Sequence, residues 1–359
     1  MGIFTNNLLV FVLALSFLLF THELGHFLVG RLFKIEAEEF GFGYPPQMLK
    51  LFKLGVTDFT LNWIPFGAFV RFKGEEDPEA PGGFYAANKW QRLGTLLAGS
   101  AMNIMLGMLL FSLVISQSGY PNPDVVLIAE VAPASPAFEA GMLVDDQIVA
   151  VNGQSMANMQ EIGTIVQENL GQSLELELLR AGQRVNLSLI PRANPPAGQG
   201  AMGIIMQNPV ERIGWFKSLP LSARMAWEQT RQLLALPGMF LRGEVSSQEM
   251  RPLSPKGLFD VYEQVRESEQ TVEGEVPGLA LLNIAWFFAV ISTALGISNL
   301  LPIPALDGGR ILFILPEIFF GKRVPARYEN AIHMFGYVTL LTLMAYIFLQ
   351  DFINPVVLP

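Results

Sequence analysis

Long apolar runs alternate with polar stretches along this chain. Four runs, at roughly residues 4–32, 93–115, 279–301 and 331–349, each predict a helix long enough to cross a bilayer. Such a helix needs about 20 predominantly apolar residues to cover a hydrocarbon core of about 30 Å. A fifth run, residues 311–320, is too short to span and predicts either a continuation of the third helix or a segment at the membrane surface. Residues 58–72 alternate imperfectly around a Pro/Gly break and are rich in β-formers, so they predict strand.

Residues 120–278 separate the second and third runs and follow a different pattern. Strands are predicted at 125–131, 174–179 and 184–190, the last two joined at Ala181-Gly182. Ser135-Pro136-Ala137 opens a short helix ending near Gly141, and residues 145–153 read as turn, strand and turn. Residues 159–169 predict a second helix. A Pro/Gly-rich linker at 194–200 leads to a largely helical stretch, 219–241, with Met225, Leu233, Leu234 and Phe240 among its apolar residues. That stretch is expected to lie on the membrane, meet substrate, or pack on its own protein. Residues 243–278 are polar and acidic and predict irregular chain with a short helix.

The chain therefore divides into a first membrane half (1–117, two spans, β-rich at about 38–75), an inserted α+β domain (118–193), a linker with an amphipathic helix (194–277) and a second membrane half (278–359, two spans). Composition agrees. Of 359 residues, 51% are hydrophobic and 15% charged, the balance of a polytopic α-helical membrane protein with about four transmembrane helices. No cysteine is present, which excludes disulfides and thiolate metal sites. A net charge of −9 without basic runs gives no support for a nucleic-acid partner. The first run lacks a basic flank and outlasts a signal-peptide core, so it reads as a retained span. Lys and Arg concentrate between the first two spans, from Arg31 to Arg92, and before the last, at Lys322, Arg323 and Arg327. The positive-inside rule puts those loops in the cytoplasm, and both termini and residues 120–278 outside.

Candidate chemistry lies within the first apolar run, at His22-Glu23-Leu24-Gly25-His26. Residues four apart share a helix face, so both imidazoles can reach one metal ion while Glu23 acts on its water. A carboxylate at that depth normally has a functional reason. A catalytic zinc needs a third protein ligand and an open position. The best candidate is Asp307, in Asn299-Leu300-Leu301-Pro302-Ile303-Pro304-Ala305-Leu306-Asp307-Gly308-Gly309. Prolines break the helix there. From spacing alone, a ligand in a buried or wet cavity and a solvated aspartate just past the bilayer are equally open. His22 lies some 25 Å along its helix from the outer start, at about 1.5 Å per residue, and Asp307 falls at or beyond the cytoplasmic end of its span. The remaining histidine, His333, has Glu329 one turn back, and an ion pair or a packed ring explains it better than a second metal site.

The pentad in a first span, the paired NLLPIPALDGG and the intervening α+β domain resemble the bacterial site-2 protease family of zinc intramembrane proteases. The inserted segment SPAFEAGMLVDDQIVAVNG is similar to bacterial PDZ domains, so that domain is expected to be PDZ-like. The resemblance implies that His22, His26 and Asp307 bind zinc, that Glu23 is the catalytic acid/base, and that Asn299 contacts substrate or transition state. Gly41-Phe42-Gly43-Tyr44-Pro45 resembles the family's glycine hairpin, and residues 62–75 its re-entrant β-structure, on the cytoplasmic side. An exposed strand edge there, at Gly67, Ala68 and Phe69, is expected to pair with an unwound substrate, though an ordinary cytoplasmic hairpin fits the pattern too. Ala98-Gly99-Ser100-Ala101-Met102-Asn103 resembles the family's second-span motif, except that Ser100 stands where a proline is usual. Asn103 is expected either near the active site or in an interhelical contact. Substrates implied are transmembrane proteins such as anti-sigma factors, or leftover signal peptides, in a bacterial plasma membrane. The PDZ-like domain would bind a peptide C-terminus or exclude bulky ectodomains. A membrane scaffold with an inactive metal site and a peptide-binding PDZ domain is the rival reading; Glu23 argues against it, because a structural zinc needs no base.

Overall fold

The computed structural model describes residues 2–74, 80–156, 158–246, 251–270 and 279–356. In chain order the elements are α1 (Gly2–Leu32), β1 (Ala37–Leu54), β2 (Thr57–Phe72), α2 (Lys89–Ser118), β3 (Tyr120–Pro121), β4 (Val126–Val131), α3 (Pro136–Glu139), β5 (Gln147–Val151), β6 (Gln154–Ser155), α4 (Met159–Glu168), β7 (Leu174–Arg180), β8 (Gln183–Leu189), β9 (Ile204–Gln207), β10 (Val210–Glu211), α5 (Trp215–Leu241), α6 (Pro255–Gln270), α7 (Leu279–Asn299), α8 (Asp307–Phe320) and α9 (Ala326–Ile353). They form two compact units, Met1–Gln117 with Gly214–Pro359, and Ser118–Ile213. Glu75, the last residue of the expected β-rich segment, and residues 271–278 lie outside the described residues.

In the first unit, four helices are long and apolar enough to cross a membrane: Asn7–Leu32, Lys89–Ser118, Leu281–Asn299 and Ala326–Ile353. They carry the four expected spans; the second and fourth run a few residues past the expected limits at both ends, and the third stops two residues short of them at each end. α7 stops at Asn299 because Pro302 and Pro304 cannot continue its hydrogen bonding. A left-handed Ala305 (φ 80°) turns the chain before α8 starts at Asp307. The short apolar run is therefore a separate helix, α8, and not a continuation of α7. It ends at Gly321, whose φ of 65° suits a helix C-cap.

β1 and β2 form more than a simple hairpin. Residues 39–42 pair with 58–61 on one side and with 68–71 on the other, while 47–54 pairs with 57–62. The layer thus runs 47–54, 57–62, 39–42, 68–71, with a tight turn through Gly55 (φ 66°). Phe40, Phe27 and Phe72 are buried between this layer and α1. Phe40 and Phe59 stack at 5.5 Å, and the strand closest to α1 is the one ending at Phe72.

α5 packs on its own protein: Gln229 Nε2 donates to Val290 O at 2.7 Å, and Ser218 Oγ lies 2.6 Å from Ser112 Oγ. α6 is a 16-residue helix, longer than the short helix expected within 243–278. Its Tyr262 is buried against Phe11 and Phe288, and buried Asp351 at the end of α9 accepts from Ser254 N at 2.9 Å and from Arg251. Those partners are remote in sequence, so composition alone underestimates the helix.

The second unit is an antiparallel sheet of order β8-β7-β5-β4-β9, with β6 on β5 and a separate β3–β10 pair. Alternation is visible in β7, where Leu174, Leu176 and Leu178 are buried between outward Glu175 and Glu177. Ser135 caps α3 by accepting from Phe138 N, and Asn158 caps α4 by accepting from Glu161 N at 2.9 Å. One boundary moves. The unit runs to Ile213, so residues 194–213, expected as linker, supply β9 and β10. β9 is only four residues long and gains its definition from pairing with β4, some 75 residues earlier.

Candidate functional site

Glycine lets two helices touch where the imidazoles sit. A Cβ on Gly25 of α1 would collide with the Ala98 carbonyl of α2, and one on Gly99 would collide with His26 Nε2 and come within 2.8 Å of His22 Cε1. The pentad's glycine and Gly99 therefore permit the approach that brings α2 beneath both rings. His22 and His26 lie one turn apart on α1 and are 7% and 6% exposed, so bulk water does not compete for them.

Asp307 arrives from α8. A Cβ on Gly308 or Gly309 would meet the carbonyls of Leu301 or Ile303, so both glycines are needed for the turn to fold back on itself. His333 braces this turn: its Nδ1 accepts from Ala305 N at 3.0 Å, and its ring lies 5.6 Å from Phe313. It is a packed histidine, the second of the two readings open for it. Asp307 occupies the first turn of α8, where the helix dipole favours a negative charge.

The result is a tight triangle. His22 Nε2 lies 3.1 Å from Asp307 Oδ2 and 3.1 Å from His26 Nε2, and His26 Nε2 lies 3.2 Å from the same carboxylate oxygen. Within this cluster three potential ligand atoms lie within 4.8 Å of one another. His26 Nδ1 donates to the Thr95 carbonyl at 2.8 Å, which in a neutral ring places the lone pair on Nε2, toward the cluster. A carboxylate only accepts. His22 Nε2, the His26 lone pair and the carboxylate thus all point to one spot, where a shared cation would satisfy them together. Two imidazoles and one carboxylate suit zinc, with room for a fourth ligand. His22 Nδ1 is buried without a hydrogen-bond partner, leaving the opposite edge of that ring unanchored.

Glu23 sits beside this cluster, and its Oε2 accepts from Val70 N at 3.0 Å. A cavity of about 190 Å³ opens next to it, lined by Glu23, His26 and Asp307 together with Phe69, Val70, Thr95 and Arg310 among others. That volume holds several waters at roughly 30 Å³ each. Of the residues expected to meet substrate, Phe69 lines the cavity; buried Gly67 and Ala68 lie in the same strand. Asn299 and Asn103 are not among the lining residues. Asn299 closes α7. Asn103 is fully buried, its amide atoms have no hydrogen-bond partner, and its main-chain carbonyl accepts from Ser292 Oγ at 2.8 Å. Sequence reasoning did not single out Thr95, Val70 or Arg310. Arg310 was within reach, because it follows Asp307 by three residues and so shares its helix face; the other two act through main-chain atoms, which no side-chain pattern signals.

Residues 10–343 match the family described as Peptidase family M50. A Clostridium perfringens relative is 29% identical over 349 residues, covering 96% of this chain and 98% of its own. One from Fusobacterium nucleatum is 30% identical over 354 residues, covering 96% and 97%. Both are provisionally named zinc metalloproteases. Among solved structures, the PDZ domain of an SdrC-like protein from Listeria monocytogenes matches with 18% identity and a TM-score of 0.21, covering 23% of this chain and 87% of that domain.

Proposed function

We propose that this chain, which belongs to Peptidase family M50, the site-2 protease family, is a zinc-dependent endopeptidase that cuts the transmembrane segments of other membrane proteins. The observation that carries the reading is the convergence of His22, His26 and Asp307 beside Glu23, both histidines and the glutamate on a helix long and apolar enough to cross a membrane. In this reading His22, His26 and Asp307 hold the zinc. A zinc held by them would supply Lewis acidity, lowering the pKa of a water and polarising a carbonyl. Glu23 takes the proton of the attacking water and passes it to the leaving amine. The Val70 amide anchors Glu23, and the Thr95 carbonyl orients His26.

A helical substrate hides its carbonyls in its own hydrogen bonds, so it must unwind locally before it is cut. The expected exposed edge is mostly covered, since Gly67 and Ala68 are buried and the Gly67 amide is bonded to Ser16; an unwound segment would meet this strand at Phe69, which lines the cavity. The distribution of Lys and Arg supports a multi-pass protein of a bacterial plasma membrane, with both termini and the PDZ-like domain outside and the site toward the cytoplasm. Family resemblance favours anti-sigma factors or signal-peptide remnants as substrates, and a PDZ-like domain that restricts access by excluding bulky ectodomains.

The test mixes purified full-length protein with a single-span substrate, with and without chelator, alongside Glu23→Gln. Cleavage by wild type alone, abolished by chelator and restored by zinc, is the expected result. Zinc retained without cleavage of several substrates would instead favour the scaffold.

A further inference from the structure

Two amides of β2 reach across to α1. Gly67 N donates to Ser16 Oγ at 3.2 Å, and Val70 N donates to Glu23 Oε2 at 3.0 Å. Ser16 and Glu23 are two helical turns apart on one face, about 10.5 Å of rise. Gly67 and Val70 are three strand residues apart, about 10 Å. The spacings match, so this stretch of β2 runs alongside α1 and is tied to it at both ends.

Regular alternation would aim those two amides to opposite sides of the strand. The φ of 77° at Gly67 breaks the alternation, and only glycine adopts that conformation without strain. Space is short as well: a Cβ there would sit 3.0 Å from the Tyr44 ring and 3.3 Å from Leu19 Cδ1 of α1. A hydroxyl in an apolar span commonly bonds back within its own helix, as Thr21 does to the Phe17 carbonyl at 2.8 Å. Ser16 instead accepts from another element, at the point where that element departs from regular strand.

We propose that Ser16 is a positioning residue, which sets the register in which a substrate segment meets Glu23. The inference rests on the peptidase reading above. Phe69 and Val70 line the cavity beside Glu23, so a substrate main chain aligned along this strand presents a given peptide bond to the base. With Ser16 and Glu23 both engaged, the strand has one position along α1. Releasing the Ser16 end lets it slide or fray, and neighbouring peptide bonds reach the base.

The test uses full-length zinc-loaded protein in lipid nanodiscs, a single-span substrate, and mass spectrometry of the product termini. Ser16→Ala is compared with Ser16→Thr and Ser16→Val, the last two nearly equal in shape but differing in the hydroxyl. Hydrogen exchange across Gly67 and zinc content are read in parallel. We expect one dominant cut in wild type and Ser16→Thr. In Ser16→Ala and Ser16→Val, cuts should spread over adjacent bonds, the dominant product should fall several-fold, and the Gly67 amide should exchange about 2- to 10-fold faster, the loss of one hydrogen bond. Zinc content should be unchanged. Wild-type termini in both hydroxyl-free variants would overturn the inference, as would zinc loss in both, which marks a purely structural role. No cleavage by wild type would defeat the peptidase reading, and this inference with it.

Discussion

The two compact units differ in how many polar side chains they bury. In residues 118–213 the buried polar side chains, among those described, are Ser135 and Asp146. Each is satisfied locally: Ser135 caps α3, and Asp146 accepts from Arg180 Nε and Nη2 at 2.7 Å. In the membrane-length helices of the other unit, His22, His26, Thr95, Ser100, Asn103, Ser292 and Thr293 are all buried. Atoms of His22, Ser100 and Asn103 have no hydrogen-bond partner at all. The outside differs too. The exposed face of α1 carries Leu9, Leu13 and Phe17, whereas β7 turns Glu175 and Glu177 outward. One unit spends its few buried polar groups on folding; the other buries many, and three of them, His22, His26 and Thr95, meet at the cluster that includes Asp307. An unpaired buried polar atom costs about 1–3 kcal/mol, so such a gathering points to chemistry.

This contrast can be broken in order of expected effect. Glu23→Gln should lower the cleavage rate about 10²- to 10⁴-fold, the usual contribution of a general base. Zinc content and hydrogen exchange of β4, β5 and β7 should not change; zinc lost in parallel would make Glu23 a structural residue. Leu176→Ala, in the core of the second unit, should destabilise that unit by about 2–5 kcal/mol. Hydrogen exchange of β5 and β7 in the full chain reads this directly, and zinc content should again hold. Gly99→Ala adds a methyl group against His26 and His22. Zinc affinity measured by competition with a chelator should fall about 10- to 100-fold, the range typical for groups that support metal ligands, while exchange of β5 and β7 stays as in wild type.

The smallest effect is one of pH. Burial pushes the Asp146 carboxyl up, but the hydrogen bonds from Arg180 and the Leu143 amide, with the guanidinium charge, outweigh it and hold the group below the usual carboxylate range. A depressed folded-state value stabilises above the unfolded value, near 3.9, and the contribution is lost as pH falls through the folded one. Protection of β5 and β7 should therefore weaken below about pH 4. Asp146→Asn should lack that acid-side dependence; an identical profile in the variant would assign it elsewhere.

Much of this was legible in the chain. Length and apolarity marked the spans, alternation and capping residues marked most of the inserted α+β unit, and helical spacing marked His22 and His26 as a pair; Asp307 stayed open from spacing alone, and the family resemblance completed the set. What escaped depends on distant contacts. β9 is defined by β4, α6 by Asp351 and by Tyr262 packing on Phe11, and the doubly paired β1 by a strand-order change that no local pattern encodes. The roles of Thr95 and Val70 lie in main-chain atoms. The resemblance pointed to Asn299, yet from that motif it is Ala305 and Asp307 that line the cavity, with Arg310 just beyond it.

The central claim is that three side chains from α1 and α8 share one cation. Zinc K-edge absorption on the full-length protein, compared with Asp307→Ala at matched zinc loading, tests it most directly. The account predicts one zinc per chain with two imidazole nitrogens and a carboxylate oxygen at about 2.0–2.2 Å, and loss of that oxygen with sharply weakened binding in the variant. An unchanged spectrum and unchanged affinity in Asp307→Ala would contradict it.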